Sequence, residues 1–353
     1  AGGWTNGYPW TTDTTADDED FAPANLGQLK HAFAFEAGPG IPTDGLLLWL
    51  RADSGVTTNA AGEVELWEDR STNAGHAAQA TAGLKPLLVT NGPAGAPAIR
   101  FDGSDDFMDL GGALDRDRDQ PLTVFAVCRM ADGATGSASI LAKMEISAAS
   151  RGHDLLHLFD LSGGAPKLRQ HLVRDWSTGN AIVSDYAILG PWGQFNLLEA
   201  SYDGSMSADG MGLGWDGTDV AKSMGSGTGP SDSIRTTATA SLGARAGQAF
   251  FFAGDIAEVI AYDRILSPEE LAAVRAYAVA RHSPGDSDWD GLADAWELQY
   301  SLDPGDWDED SNGIRDGLDN FDGDQLSNAA EQLEGTDPTD SDTDGDDAPD
   351  GEV

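Results

Sequence analysis

Between residues 41 and 282, apolar positions come in short runs broken by Gly, Pro, Asn and Asp. The clearest runs are 46–50, 64–67, 98–101, 122–130, 155–161, 195–202, 238–242 and 256–262. Runs of this length between turn residues read as strands. Many strands with no helices between them predict an antiparallel sandwich of two sheets. In the last run Ile256, Glu258, Ile260 and Tyr262 share one parity, and Ala257, Val259 and Ala261 the other. Such a strand is buried on both sides, one of them under a helix. That helix follows at once: Ser267-Pro268-Glu269-Glu270 is a capping sequence, with Leu271, Val274 and Ala278 at helical spacing.

The flanks differ from this middle section. Residues 1–40 are a polar arm rich in Thr, Asp and Gly, with Trp4, Tyr8 and Trp10. Leu26, Leu29 and Phe33 share one helical face there, which predicts a short docked helix over 25–35. Residues 283–353 open on Ser283-Pro284-Gly285, a turn sequence, and then become strongly acidic.

Charge sharpens that boundary. The 353 residues carry 60 acidic and 20 basic side chains, a net charge of −40. From Asp286 onward there are 24 acidic residues and one basic residue, Arg315. So acidic a chain does not bind nucleic acid through a basic face, nor dock on an anionic membrane. The acidic block repels itself unless cations neutralise it. Cys128 is the single cysteine, which excludes an intramolecular disulfide. No apolar run approaches the roughly 18 residues of a membrane span. The start at Ala1, without Met, fits a mature secreted protein, and an arbitrary starting point fits it too.

The middle section resembles the laminin-G-like jelly rolls of the concanavalin A-like lectin/glucanase superfamily. The resemblance is carried in order by residues 45–56, Trp67 to Asn73, 98–104, 122–127, Tyr202-Asp203-Gly204 and 254–267, then the closing helix. It implies a mainly β fold: a two-sheet antiparallel jelly-roll sandwich over 41–282. Members of that superfamily include lectins, glucanases and structural modules, so each kind of site must be sought separately. Glucanase chemistry needs two carboxylates about 5–5.5 Å apart. The nearest pattern, Glu63-Val64-Glu65-Leu66-Trp67-Glu68, has Glu where Asp is wanted, and Glu68 points away without a bulge. A solvated strand face is the better reading of these acids. His153 and His157 flank a strand-like run and read as structural. Cys128 reads as a buried thiol. Trp176, Trp192 and Trp215 fall in loop-like stretches, where stacking on sugars and packing over a loop are equally open.

The acidic section carries a spaced pattern. Asp286, Asp288, Asp290, Gly291, Asp294 and Glu297 stand at places 1, 3, 5, 6, 9 and 12 of a calcium loop, with Leu292 offering its carbonyl at place 7. Calcium takes six to eight oxygens at about 2.3–2.6 Å, so alternate side chains of a tight loop converge on one ion. The grid fits again at Asp308, Asp310, Asn312, Ile314, Asp316 and Asp319, where the short Asp at place 12 invites water or Asp306. A third fit uses Asn320, Asp322, Asp324, Leu326, Asn328 and Glu331, with Gln325 in the glycine place. A fourth has Asp342, Asp344, Asp346 and Asp350, and its twelfth place is Val353. Its remaining oxygens can come from the Val353 carboxylate, water, further chain or a neighbour. Loops one and three should each run into a short helix.

With connecting pieces such as Leu302-Asp303-Pro304 and Gly335-Thr336-Asp337-Pro338, residues 283–353 resemble bacterial thrombospondin type 3 repeats. The resemblance implies three or more Ca2+ ions wrapped by chain, with folding coupled to binding. Together these readings predict a secreted bacterial calcium-binding structural protein without catalytic activity. It would associate with copies of itself, head to tail, through arm and repeats. The alternative is a calcium-dependent carbohydrate-binding or adhesion module for extracellular polysaccharide.

Overall fold

The structure, a computed structural model, describes residues 40–159, 166–188, 193–227, 229–346 and 348–352. The expected arm with its helix, and Trp192, lie outside these residues.

Two antiparallel sheets pack face to face, so the chain is mainly β and sandwich-like. One sheet carries, in spatial order, Thr218–Asp219, Met211–Trp215, Asn196–Tyr202, Leu122–Met130, Ala253–Tyr262, Ala98–Asp102 and Leu87–Val89. Leu46–Arg51 pairs with the far half of Ala253–Tyr262. The larger sheet runs Lys222–Ser226, Asn180–Ala187, Lys167–Asp175, Gly152–Phe159, Leu141–Met144, Ser241–Leu242, Met108–Asp109, Ala77–Ala78, Val64–Trp67 and Val56–Thr58. Between them lies the main core. Leu48, Phe101, Val124 and Leu198 enter it from the first sheet, and Trp67, Met108, Leu156, Leu172 and Tyr186 from the second. Each such side chain contributes roughly 1.5–3 kcal/mol by leaving water.

A second core lies on the other face of the first sheet, under helix α1 (Pro268–His282). The capping sequence works as its spacing predicts. Ser267 accepts from the Glu270 amide, and the Glu270 carboxylate accepts from the Ser267 amide. Val274, Tyr277 and Ala278 then meet Phe125, Val127, Leu197 and Ile260. Glu258 is buried in this layer. Trp49 Nε1 and Tyr277 Oη donate to its Oε1 at 2.6 and 2.7 Å, and His282 Nε2 lies 2.6 Å from its Oε2.

The parity reading of 256–262 needs one correction. The register against Leu122–Met130 shifts between Ile256 and Glu258, which marks a bulge. Ile256 therefore faces the main core with Val259 and Ala261, while Ala257, Ile260 and Tyr262 face the helix. Other boundaries also moved. The run at 155–161 is the strand Gly152–Phe159, and of 238–242 only Ser241–Leu242 pairs. Lys167–Asp175 and Asn180–Ala187 are strands that apolar runs do not reveal. In the first of them Leu168 and Leu172 enter the core, while Arg169 and His171 point the other way.

By its contacts, the acidic segment belongs to the same compact unit as the sandwich. The Ser283-Pro284-Gly285 turn is tied down: the Asp286 amide donates to the Ser283 carbonyl, and the Asp294 amide to the Gly285 carbonyl. Helices α2 (Asp294–Tyr300) and α3 (Asn328–Glu334) follow loops one and three. They are 34 residues apart, as are the 3-10 turns Asp316–Leu318 and Asp350–Glu352. The backbone repeats at the same interval. Trp289 and Gly323, Gly291 and Gln325, Ser301 and Gly335, and Ser311 and Gly345 all have positive φ. Residues 286–319 and 320–353 are thus two abutting copies of one 34-residue sequence pattern. Gln325 occupies the glycine place at φ +85°, a conformation that costs most residues energy.

Candidate metal centres

In the first loop, Asp286, Asp288 and Asp290 each bring a carboxylate oxygen within 4.8 Å of the other two. The backbone of the loop arranges this. The Gly291 amide donates to Asp286 Oδ2, the Asp290 amide to Asp288 Oδ1, and the Leu292 amide to Asp290 Oδ1. One oxygen of each acid is held, and the other is left over. Asp286 Oδ1, Asp288 Oδ2 and Asp290 Oδ2 are buried without a donor, and so are both oxygens of Glu297 on α2. Buried carboxylates without partners are expensive. Burial first, and then their neighbours' charges, push Asp288 up to about 9 and Glu297 to about 8. Burial likewise lifts Asp290 to about 6.

The third loop repeats the arrangement. Asp322, Asp324 and Glu331 converge within 4.8 Å. Asp324 and Leu326 amides hold one oxygen of Asp322 and Asp324, while Asp322 Oδ2, Asp324 Oδ2 and Glu331 Oε2 have no donor. Burial, and then the charges of Asp322 and Asp324, push Glu331 up to about 7. Asn320 Oδ1 instead accepts from the Gly323 and Asp324 amides.

Loops two and four differ. Asp308 accepts from the Asn312 and Gly313 amides, and Asp310 from the Asn312 amide and side chain. Asn312 also donates to Asp319, and its own oxygen accepts from the Ile314 amide. Asp342, Asp344 and Asp346 do converge, close to solvent. Among the described residues, neither loop leaves a buried carboxylate oxygen without a donor.

Place nine has another task than the spacing assigns. Asp294, Asp316, Asn328 and Asp350 accept from the amides of Ser287, Glu309, Phe321 and Thr343, each at place two of its own loop. These four side chains clamp their loops across the middle rather than joining the converging oxygens. Asn328 Nδ2 also donates to the Asp316 carbonyl, which links the two copies.

The donor sets of loops one and three fit a hard divalent cation. Their free atoms are carboxylate oxygens from alternate residues plus an acid on the following helix. The first loop is also built into the sandwich. Trp289 packs in the second core, and buried Arg315 donates to the Trp289 carbonyl and to Asp216. These anchors carry no spacing signal in the sequence.

Other candidates are placed as follows. Glu63 accepts from Asn59, and Glu65 pairs with Lys85. Trp215 is buried in a strand, Trp176 is exposed, and Cys128 is buried. His153 lies 2.9 Å from the Leu114 carbonyl. His157 belongs to a buried polar group that sequence spacing does not reveal, because Asp154 and His157 share one strand but Ser139, His171 and Arg245 come from other parts of the chain. Arg245 Nη2 lies 2.9 Å from both Asp154 Oδ2 and His171 Nε2, and Ser139 bridges Asp154 and His157.

No family model and no curated protein matches the chain. Among solved structures, Trypanosoma rangeli sialidase in complex with sialic acid aligns at 14% identity and TM-score 0.45, over 74% of this chain and 38% of that one. The binding domain of Paraclostridial Mosquitocidal Protein 1 aligns at 12% identity and TM-score 0.44, over 65% of this chain and 51% of that one. The Ruminococcus gnavus IT-sialidase CBM40 bound to alpha2,3 sialyllactose aligns at 20% identity and TM-score 0.38, over 50% of this chain and 95% of that one. The chain spans less than half the length of the sialidase.

Proposed function

We propose that the chain is a non-catalytic, calcium-binding β-sandwich module of the extracellular space, whose acidic segment folds around its ions. The observation that carries this reading is the set of buried, donor-free carboxylate oxygens at Asp286, Asp288, Asp290 and Glu297, repeated at Asp322, Asp324 and Glu331. The tandem 34-residue pattern supports the likeness of 283–353 to bacterial thrombospondin type 3 repeats. Extracellular calcium sites work at about 10⁻⁴–10⁻³ M, which suits a secreted protein. Among the described residues, no helix is long and apolar enough to cross a membrane. Head-to-tail association with copies of itself rests on the sequence alone.

Calorimetric titration with calcium tests the reading. At least two ions should bind per chain, with helical signal lost on adding chelator. No binding at millimolar calcium overturns it.

One observation favours carbohydrate binding as a second reading. On the side of the larger sheet turned away from the main core, the partly exposed rings of Trp176 and Phe250 flank the Arg245 group. Phe250 is 4.4 Å from the Arg245 guanidinium, and Trp176 is 6.0 Å from His171. Aromatic faces beside fixed polar groups are a means of holding a sugar. A glycan array probed with wild type and with Trp176→Ala tests this. Binding lost in the variant supports it, and silence across acidic and neutral polysaccharides removes it.

A further inference from the structure

The two copies of the 34-residue pattern differ where the first one meets the sandwich. Trp289 corresponds to Gly323, and Arg315 to Pro349. Trp289 is buried in the second core, which also holds Leu197 and Tyr277. Its carbonyl accepts from Arg315, whose other nitrogen donates to Asp216, and Asp216 in turn accepts from the Leu197 amide on a strand of the first sheet. Trp289 sits between two of the converging acids, Asp288 and Asp290. The backbone that presents those oxygens is therefore fixed by the sandwich. In the second copy, Gly323 brings no side chain and Pro349 no cation to do the same.

We infer that Trp289 and Arg315 are positioning residues for the first ion site, so that calcium in loop one stabilises the sandwich more than calcium in loop three does. The inference rests on the calcium reading above. A site held in its binding shape by the rest of the fold binds more tightly, because less ordering remains to be done on binding. Linkage makes the effect reciprocal: a ligand bound only by the folded form stabilises whatever is folded with its site. Loop three has its own acids but no tie to either core through these two places; it meets the first copy through Asn328 on the Asp316 carbonyl and Gln332 on the Ala293 amide and Gly291 carbonyl, and serves as the comparison within the same chain.

Cys128 supplies the readout. It is buried in the main core on Leu122–Met130, so a thiol reagent reaches it only when the sandwich opens. The test uses the full chain in mild denaturant, with calcium or with chelator. In wild type, calcium should slow Cys128 labelling. The slowing should fall further in Glu297→Gln than in Glu331→Gln, each of which removes one acid with little change of shape. Arg315→Gln should weaken one calcium site about 10- to 100-fold and leave the other unchanged. Asp216→Asn, which keeps an acceptor for the Leu197 amide, should do the same should Arg315→Gln fail to fold. Equal protection in Glu297→Gln and Glu331→Gln overturns the inference. Calcium that binds without slowing the labelling of wild type also overturns it. Absence of calorimetric binding to wild type overturns instead the calcium reading beneath it.

Discussion

Gly317 lies against the carbonyl oxygen of Asp290, so close that a Cβ would stand 2.5 Å from it. Thirty-four residues later, Gly351 stands in the same relation to the carbonyl of Asp324. In each copy the second loop thus presses on the backbone of the first at the fifth ligand place. Gly317→Ala forces the two apart, at a cost of about 1–3 kcal/mol for an overpacked contact. Calcium titration should show weakened binding at loop one only. Gly351→Ala should act on loop three alone.

On the proposed reading, protons compete with the cation for the carboxylates of loop one. Asp288, Glu297 and Asp290 have ordinary values of 3.8, 4.5 and 3.8, and burial first lifts them to about 9, 8 and 6. The ion-free folded protein thus holds protons that the unfolded chain has released. A raised folded value contributes stability that is full below the unfolded value and is lost as pH rises through the folded one. In chelator, the melting temperature should fall from about pH 5 to about pH 9. With calcium, the trend should weaken or reverse, and calcium added at neutral pH should release protons into a weakly buffered solution. A melting temperature in chelator that rises over this window contradicts the ion-free geometry.

Glu258 should be sensitive to truncation. Its carboxylate serves Trp49, Tyr277 and His282 at once, and joins two strands of the first sheet to the last turns of α1. Glu258→Ala leaves these groups buried without an acceptor, at a cost of about 3–5 kcal/mol by analogy with broken buried pairs. Denaturant unfolding should show that loss. Glu63→Ala, on a surface pair with Asn59, should fall within about 0.5 kcal/mol of wild type.

The clamp at place nine predicts a split between two substitutions. Asp294 takes the Ser287 amide at 2.7 Å and the Ser287 hydroxyl at 2.9 Å. Asp294→Asn keeps an acceptor for the amide and should retain most of the calcium affinity of loop one. Asp294→Ala removes the clamp and should cost about 10- to 100-fold in affinity. Equal losses in both variants would mean that the charge of Asp294 acts on the ion directly.

Much of this architecture is legible in the sequence, where local rules act alone. The capping box at Ser267 and Glu270 is a pattern four residues long, and the structure shows both of its hydrogen bonds. The runs at 64–67 and 122–130 match the strands Val64–Trp67 and Leu122–Met130. Alternation within 256–262 fails at Ile256, because a bulge adds a residue that no period of two can register. The acids at alternate places point to the converging oxygens of loops one and three. Spacing cannot separate a converging acid from a clamp, since Asp294 and Asp290 are the same residue type on one grid. The partners that distinguish them, such as Ser287 for Asp294 and Leu292 for Asp290, appear only once the loop is closed. Asp216 and Arg315 lie 99 residues apart in the chain, beyond the reach of any local pattern.

The two copies meet with no spare residue: the Asn328 amide donates to the Asp319 carbonyl, and the Asn328 side chain to that of Asp316. One residue inserted between Asp319 and Asn320 would put every later oxygen out of phase with the contacts that aim it. A whole copy, by contrast, can be added or removed with its phase intact. Length in this part of the chain is therefore quantised, and natural variants should differ here by whole copies or not at all.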